Sequence, residues 1–142
     1  MPTSSRFAVA VHILTFLAAD RKRAHRSEEI AASVGTNPSV VRRILGDLAR
    51  AGLTSSQLGK GGGALLARGP KKISLLEVFC AVEDQNLIAM HRTRPSQSCE
   101  IGRAIQPVLQ SMAATAEQAF FDALEEHSLK DVARSVKTAA AA

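Results

Sequence analysis

Between Ser27 and Leu66 the chain reads SEEIAASVGTNPSVVRRILGDLARAGLTSSQLGKGGGALL. Ser27 is a good helix cap, Glu28 and Glu29 suit the positive end of the helix, and Ile30, Ala31 and Val34 share its apolar face. Gly35 ends that helix and Thr36 and Asn37 form the turn. Pro38 fits the first position of a second helix, whose buried stripe is Val41, Ile44, Leu45 and Leu48. Ser39, Val40, Arg42 and Arg43 are then left facing outward near its start. Gly52 closes the second helix, and LTSSQL and ALLAR are strands joined through Gly59, Lys60, Gly61, Gly62 and Gly63. A helix-turn-helix followed by a hairpin confines the chain to a mainly α fold with a small β-hairpin, the winged helix-turn-helix. Such a unit sets its second helix in a DNA groove and its hairpin on the adjoining backbone.

Charge agrees with that expectation. Residues 1–72 hold twelve Lys and Arg against four Asp and Glu, and residues 73–142 hold six against nine, so the halves carry +8 and −3. Clustered cations attract a polyanion and release its counterions on binding. A solvated basic face without a partner is the plainer reading of the same charges. Trp and Tyr are absent and Phe occurs five times, too few for a stacking surface for single strands, which favours duplex DNA. The wing glycines do not form a phosphate-cradling P-loop, which needs Gly-Lys-Ser/Thr at the start of a helix, whereas Gly63 leads into Ala64 and Leu65 of a strand. No nucleophile–base pair, paired carboxylates or HExxH spacing marks an enzyme.

At 142 residues the chain suffices for one domain with an extended arm. Cys80 and Cys99 form no CxxC pair, which excludes a zinc module or disulfide scaffold and points to a reducing cytoplasm. The start of the chain lacks the pattern of a signal peptide, and the apolar run Phe7–Ala19 is too short to span a bilayer. That run is apolar almost all round and predicts a helix buried on most sides. Within it, His12 reads as a packed core or interface histidine rather than a metal ligand. The following loop, DRKRAHR, carries Arg21, Lys22, Arg23, His25 and Arg26 and either touches phosphates or is solvated.

Ser74 caps LLEVFCAVE, whose Leu75, Leu76, Val78, Phe79 and Val82 are expected to pack on the winged-helix core, with Cys80 as a small core residue. After a polar loop, Ile101, Ile105, Val108, Leu109, Met112, Ala116, Ala119, Phe120, Ala123 and Leu124 recur at steps of three and four. They predict an amphipathic helix of about 28 residues and about 40 Å, longer than the small body can cover, which implies a second copy of the chain. Pro107 is expected to kink or restart it, because proline removes the bond to the carbonyl of Arg103. SLKDVARSVK predicts a last short helix with a frayed alanine tail. The division expected is a winged helix-turn-helix domain at 1–84, a loop at 85–99 and, at 100–142, a long dimerisation helix with a short terminal one.

The first helix, TNPSVVRRILGDLARAGL, the glycine-rich wing, ISLLEVFCAVE, SCEIGRAIQ and SLKDV together resemble a family of bacterial winged-helix transcription regulators. That family includes the iron-sulfur cluster regulator, the nitric-oxide-sensitive repressor and the cysteine-metabolism repressor. The resemblance spans nearly the whole chain. It implies a cytoplasmic homodimer joined by the long helix, with two recognition helices in successive major grooves of a palindromic operator. It also implies DNA contacts at Asn37, Ser39, Val40, Arg42 and Arg43. Members like the cluster regulator tend to carry an aromatic residue at the place of Val40, Glu at that of Arg42 and Arg at that of Leu58. A different operator follows, since arginine favours guanine O6 and N7 whereas glutamate accepts from cytosine; Lys60 takes over the charge of the wing.

Cluster-binding relatives have three closely spaced cysteines before the long helix, and Cys99 matches the last of them. With only His91 nearby, one thiolate and one imidazole are too few for a cluster within a subunit, so no cofactor is expected. What remains resembles the cluster-free branch, some members of which sense oxidants or electrophiles through thiols. Cys99 starts a helix beside His91, Arg92 and Arg94, and both influences favour a reactive thiolate. A relic cysteine, or one packed at a dimer seam, is the equal alternative. The function expected is a DNA-binding regulator, more simply a repressor, since a bound dimer blocks a promoter unaided. The alternatives are a protein-interaction module without DNA binding and a regulator using a cluster or a small-molecule effector.

Overall fold

The computed structural model describes residues 4–142, so the first three residues of the expected 1–84 body lie outside it. Helix α1 spans Arg6–Ala19, α2 Ser27–Val34 and α3 Pro38–Arg50. Strands β1 (Thr54–Gln57) and β2 (Gly63–Leu66) pair antiparallel, with Thr54 opposite Leu66 and Gln57 opposite Gly63. A 3₁₀ turn at Pro70–Lys72 leads to α4 (Leu75–Val82), then α5 (Glu100–Glu125) and α6 (Leu129–Ala140).

The core forms where the apolar stripes of these helices meet. Ile13, Leu14 and Leu17 of α1, Ile30 of α2, Val41, Ile44 and Leu48 of α3 and Val78 of α4 are buried together, with Leu53 and Ile73 from the connections. Removing such side chains from water supplies the main driving force. Leu45 of the predicted stripe is only half-buried. Helix α4 starts with a capping box: Ser74 Oγ accepts from Glu77 N–H at 3.1 Å, and Glu77 Oε1 accepts from Ser74 N–H at 3.3 Å. Ser128 and Asp131 repeat it at α6. The α6 start is tied to the body by Leu129 N–H to Ile73 O (2.8 Å) and Leu75 N–H to His127 O (2.9 Å), and Leu129 is fully buried.

Several expectations need correction. The cap of α2 is Arg26, not Ser27, and Arg26 N–H donates to Glu29 Oε1 at 3.0 Å. Of the two places expected for His12, the core is excluded: it is exposed, with Nε2 2.9 Å from Ser33 Oγ, because the nearly all-apolar α1 leaves the buried side unspecified by pattern. Cys80 is exposed rather than in the core, since Val78, Phe79 and Val82 fill the inward face of α4. Helix α5 continues through Pro107; Pro107 and Arg103 are both exposed, so the freed carbonyl stays in water. Helix α6 takes in the first two of the four terminal alanines and ends at Ala140, leaving Ala141 and Ala142 outside it.

Helix α5 meets the body through aromatic contacts. Phe79 lies edge-on to Phe7 (5.6 Å between centroids) and to Phe120 (5.2 Å). Along α5 only Ala113 is buried, while Ile101, Val108, Leu109, Met112 and Phe120 remain exposed. Among the described residues no helix is long and apolar enough to cross a membrane.

Candidate nucleic-acid interface

The recognition helix is set by its first turn. Asn37 Oδ1 accepts from Val40 N–H at 3.1 Å, and Pro38 occupies the first helical position, where an N–H would have no partner. Ser39, Arg42 and Arg43 are exposed along the outer side of this helix. Val40 departs from expectation: it is half-buried and packs against the core, so only part of its surface remains for a ligand. Asn37 has its oxygen engaged in the cap, which leaves the amide nitrogen for an outside acceptor.

The wing stands beside α3 because the α1–α2 loop holds it there. His25 N–H donates to Ala64 O at 2.9 Å and Ala64 N–H donates to His25 O at 2.8 Å, which adds a bridge to the open edge of β2. Gly63 is required at that junction: its φ is 148°, and a Cβ there would lie 2.2 Å from the carbonyl oxygen of His25. His25, expected as a loop cation, is 3 % exposed, and its Nε2 lies 2.6 Å from the Asp20 carbonyl oxygen. At the wing tip Lys60 is exposed and Leu58 is 90 % exposed.

Between α3 and the wing runs an open crevice of about 410 Å³, lined by Ser27, Arg42, Leu45, Gly46, Thr54 and Gln57 among others. Arg42 Nη1 lies 3.8 Å from Glu28 Oε1, whereas Arg43 and Lys60 have no acidic partner among the described residues. Arg23 is held internally, donating to Glu29 Oε1 at 2.8 Å and Oε2 at 3.0 Å. The Arg23 guanidinium, followed by the Arg26 N–H, holds the Glu29 carboxyl down at about 2. Arg21, Lys22 and Arg26 stay exposed. The face therefore offers separate cations on recognition helix, wing and loop, together with neutral donors and acceptors at Ser39 and Gln57.

Neither Gln57 nor Glu28 is among the contacts expected from the sequence, where Glu28 counts only as a helix-end acid. Gln57 could have been found from its place in the strand LTSSQL beside the wing glycines. Glu28 meets Arg42 across two helices, a contact that no spacing within one helix reveals.

Cys99 is exposed and occupies the N-cap of α5; Cys80 is exposed on α4, where burial, then the charge of Glu125, pushes its thiol up. Both are free thiols. Among the described residues no three His, Cys, Asp or Glu side chains are grouped to hold a metal, so the donors of a single chain do not fit an iron-sulfur cluster.

A helix-turn-helix with an adjoining wing and an outward basic face defines a winged-helix DNA-binding regulator of transcription. Residues 3–135 match the Rrf2 family, described as iron-dependent transcriptional regulators, and the chain belongs to that family. It is 43 % identical over 130 residues, 91 % of this chain and 95 % of the relative, to YwnA of Bacillus subtilis (strain 168), which is named as an HTH-type transcriptional regulator. A crystal structure presented as that of a DNA-binding protein is 41 % identical, with a TM-score of 0.74 over 90 % of this chain and 98 % of the other. The global cysteine regulator CymR of B. subtilis shares the fold at 18 % identity, with a TM-score of 0.72 over 95 % of this chain and 98 % of its own. The protein is a regulator rather than an enzyme.

Proposed function

We propose that the chain acts as a homodimeric, cofactor-free repressor that reads a palindromic operator, with Asn37, Ser39, Val40, Arg42 and Arg43 at the base edges and Lys60 on the backbone. The observation that carries the dimer is the face of α5. Over about 39 Å, taking about 1.5 Å for each of its 26 residues, it exposes Ile101 (72 %), Met112 (65 %), Val108, Leu109 and Phe120. An apolar stripe of that length belongs against another helix, and a twofold-related copy supplies one of identical pattern. Reading a palindrome then requires two copies of α3 about one helical turn, about 34 Å, apart along the duplex.

Selection of random duplexes by the purified protein, with sedimentation at the same concentrations, tests this reading. A dimer and an inverted-repeat consensus are expected, and transcription in vitro from a promoter overlapping that consensus is expected to fall. A monomer that binds its consensus at full strength, or a consensus without symmetry, breaks it.

The exposed Cys99 is the proposed input. A hydroperoxide takes two electrons from the thiolate, which becomes a sulfenate, and leaves as alcohol or water. Operator affinity is expected to fall after mild peroxide in the wild type and to hold in Cys99→Ser. Equal loss in that variant, or no loss in the wild type, removes Cys99 from the mechanism.

A further inference from the structure

The four acids of residues 1–72 are not equivalent. Asp20 and Glu29 are engaged by Arg23, and Asp47 by its helix neighbour Arg50. Glu28 alone is paired with a residue of the recognition crevice. Its Oε1 lies 3.8 Å from Arg42 Nη1, and its Oε2 lies 3.8 Å from Arg26 Nε. One carboxylate thus spans the loop before α2 and the outer face of α3. Its place in the first turn of α2, where the helix end is positive, favours the charged side chain there.

Both members of the Glu28–Arg42 pair are more than half exposed, so the pair adds little to folding. Its effect is on where Arg42 points and what Arg42 accepts in exchange. A carboxylate on a DNA-facing surface repels phosphate. An arginine beside it gains little by leaving for a single phosphate oxygen, and more by leaving for guanine, whose O6 and N7 accept two parallel hydrogen bonds. Arg43, without an acidic neighbour, has no such restraint.

We propose that Glu28 is a specificity-determining positioning residue: it holds Arg42 for base reading and keeps it off the phosphates. This rests on the reading of Arg42 as a base contact.

The test compares the consensus duplex selected by the wild type with a shuffled duplex, using the full chain, over a range of salt. Glu28→Gln keeps the shape and removes the charge. It is expected to bind the shuffled duplex about threefold tighter and to steepen the salt dependence there by about one phosphate contact. The ratio of consensus to shuffled affinity is expected to fall about tenfold. Glu28→Asp keeps the charge and is expected to leave shuffled binding at the wild-type level. In an Arg42→Ala background Glu28→Gln is expected to leave the ratio unchanged, which a general disturbance of α2 would not do. Thermal unfolding of each variant checks that the fold is kept. An unchanged ratio and salt slope in Glu28→Gln, or the same change with and without Arg42, overturns the proposal. Failure of the wild type to select any consensus instead breaks the base-reading model beneath it, a result visible before any variant is made.

Discussion

The winged-helix body and α5 use the same apolar residue types to opposite ends. In the body, Ile13, Leu14, Ile30, Val41, Leu48, Leu53, Ile73 and Val78 are buried, and α6 returns to add Leu129. On α5 the periodicity is as regular, yet Ala113 alone is buried. Only the end near Phe120 reaches the body, through Phe79. One core is closed within the chain; the other surface is left open by it. In the proposed dimer, folding of the body and assembly through α5 are therefore separable properties, and substitutions can be chosen to move one without the other.

Leu48→Ala is the strongest test of the closed side. The side chain has no exposed surface, and its truncation is expected to cost about 2–5 kcal/mol by urea unfolding, through lost burial and a residual cavity. A cost below about 1 kcal/mol would mean that the body is looser than its burial indicates. Met112→Glu tests the open side. It is expected to leave helical content intact, to shift sedimentation from dimer to monomer and to lower operator affinity about a hundredfold through loss of the second half-site. Loss of helical content on that substitution would show that the body depends on α5 after all.

Within the DNA face the same contrast separates Arg42 from Lys60. Arg42 lines the crevice beside α3, and Lys60 stands free on the wing. Arg42→Ala is expected to cost about 1–3 kcal/mol on the consensus and to relax discrimination at one position. Lys60→Ala is expected to weaken consensus and shuffled duplexes alike by a smaller factor and to lower the salt slope by about one. Fluorescence anisotropy titrations against both duplexes distinguish the two patterns, and interchange of the patterns would reverse the assignment.

What could be read from sequence depended on whether a residue's neighbours lie close in the chain. The α3 stripe, Pro38, the turn at Asn37 and the wing glycines are local signals, and each element formed where they place it. His25 could not be placed that way, because its bridge to Ala64 joins segments far apart in sequence. Val40 falls outward on the helical wheel, yet it packs against the core. Cys80 sits in LLEVFCAV, where apolar residues occupy nearly every position and the period gives no phase. At Pro107 the helix does not restart: in a solvent-exposed turn of a long helix, one missing hydrogen bond does not stop propagation. For the site, the identities of Arg42 and Arg43 were legible, but the acid that distinguishes them was not.

The smallest expected effect bears on how the wing is held. The Glu29 carboxyl, pushed down from 4.5 to about 2 chiefly by the hydrogen bond from Arg23, favours the fold only while it is charged. Because its folded value lies below its unfolded one, this contribution is complete above about pH 4.5 and is lost as pH falls through about 2. Arg23 is half exposed, so solvent screens the pair and the effect is modest. Glu77 and Asp131 are shifted in the same direction and titrate in both wild type and variant. Glu29→Gln is thus expected to reduce, without abolishing, the acid dependence of the unfolding midpoint between about pH 4.5 and 2.5. Since Glu29 also anchors the loop that carries His25, the wild-type amides of His25 and Ala64 are expected to lose exchange protection on acidification before those of Leu48 and Val78. Protection lost together at all four would show that the wing is held by the core itself rather than by the loop beside it.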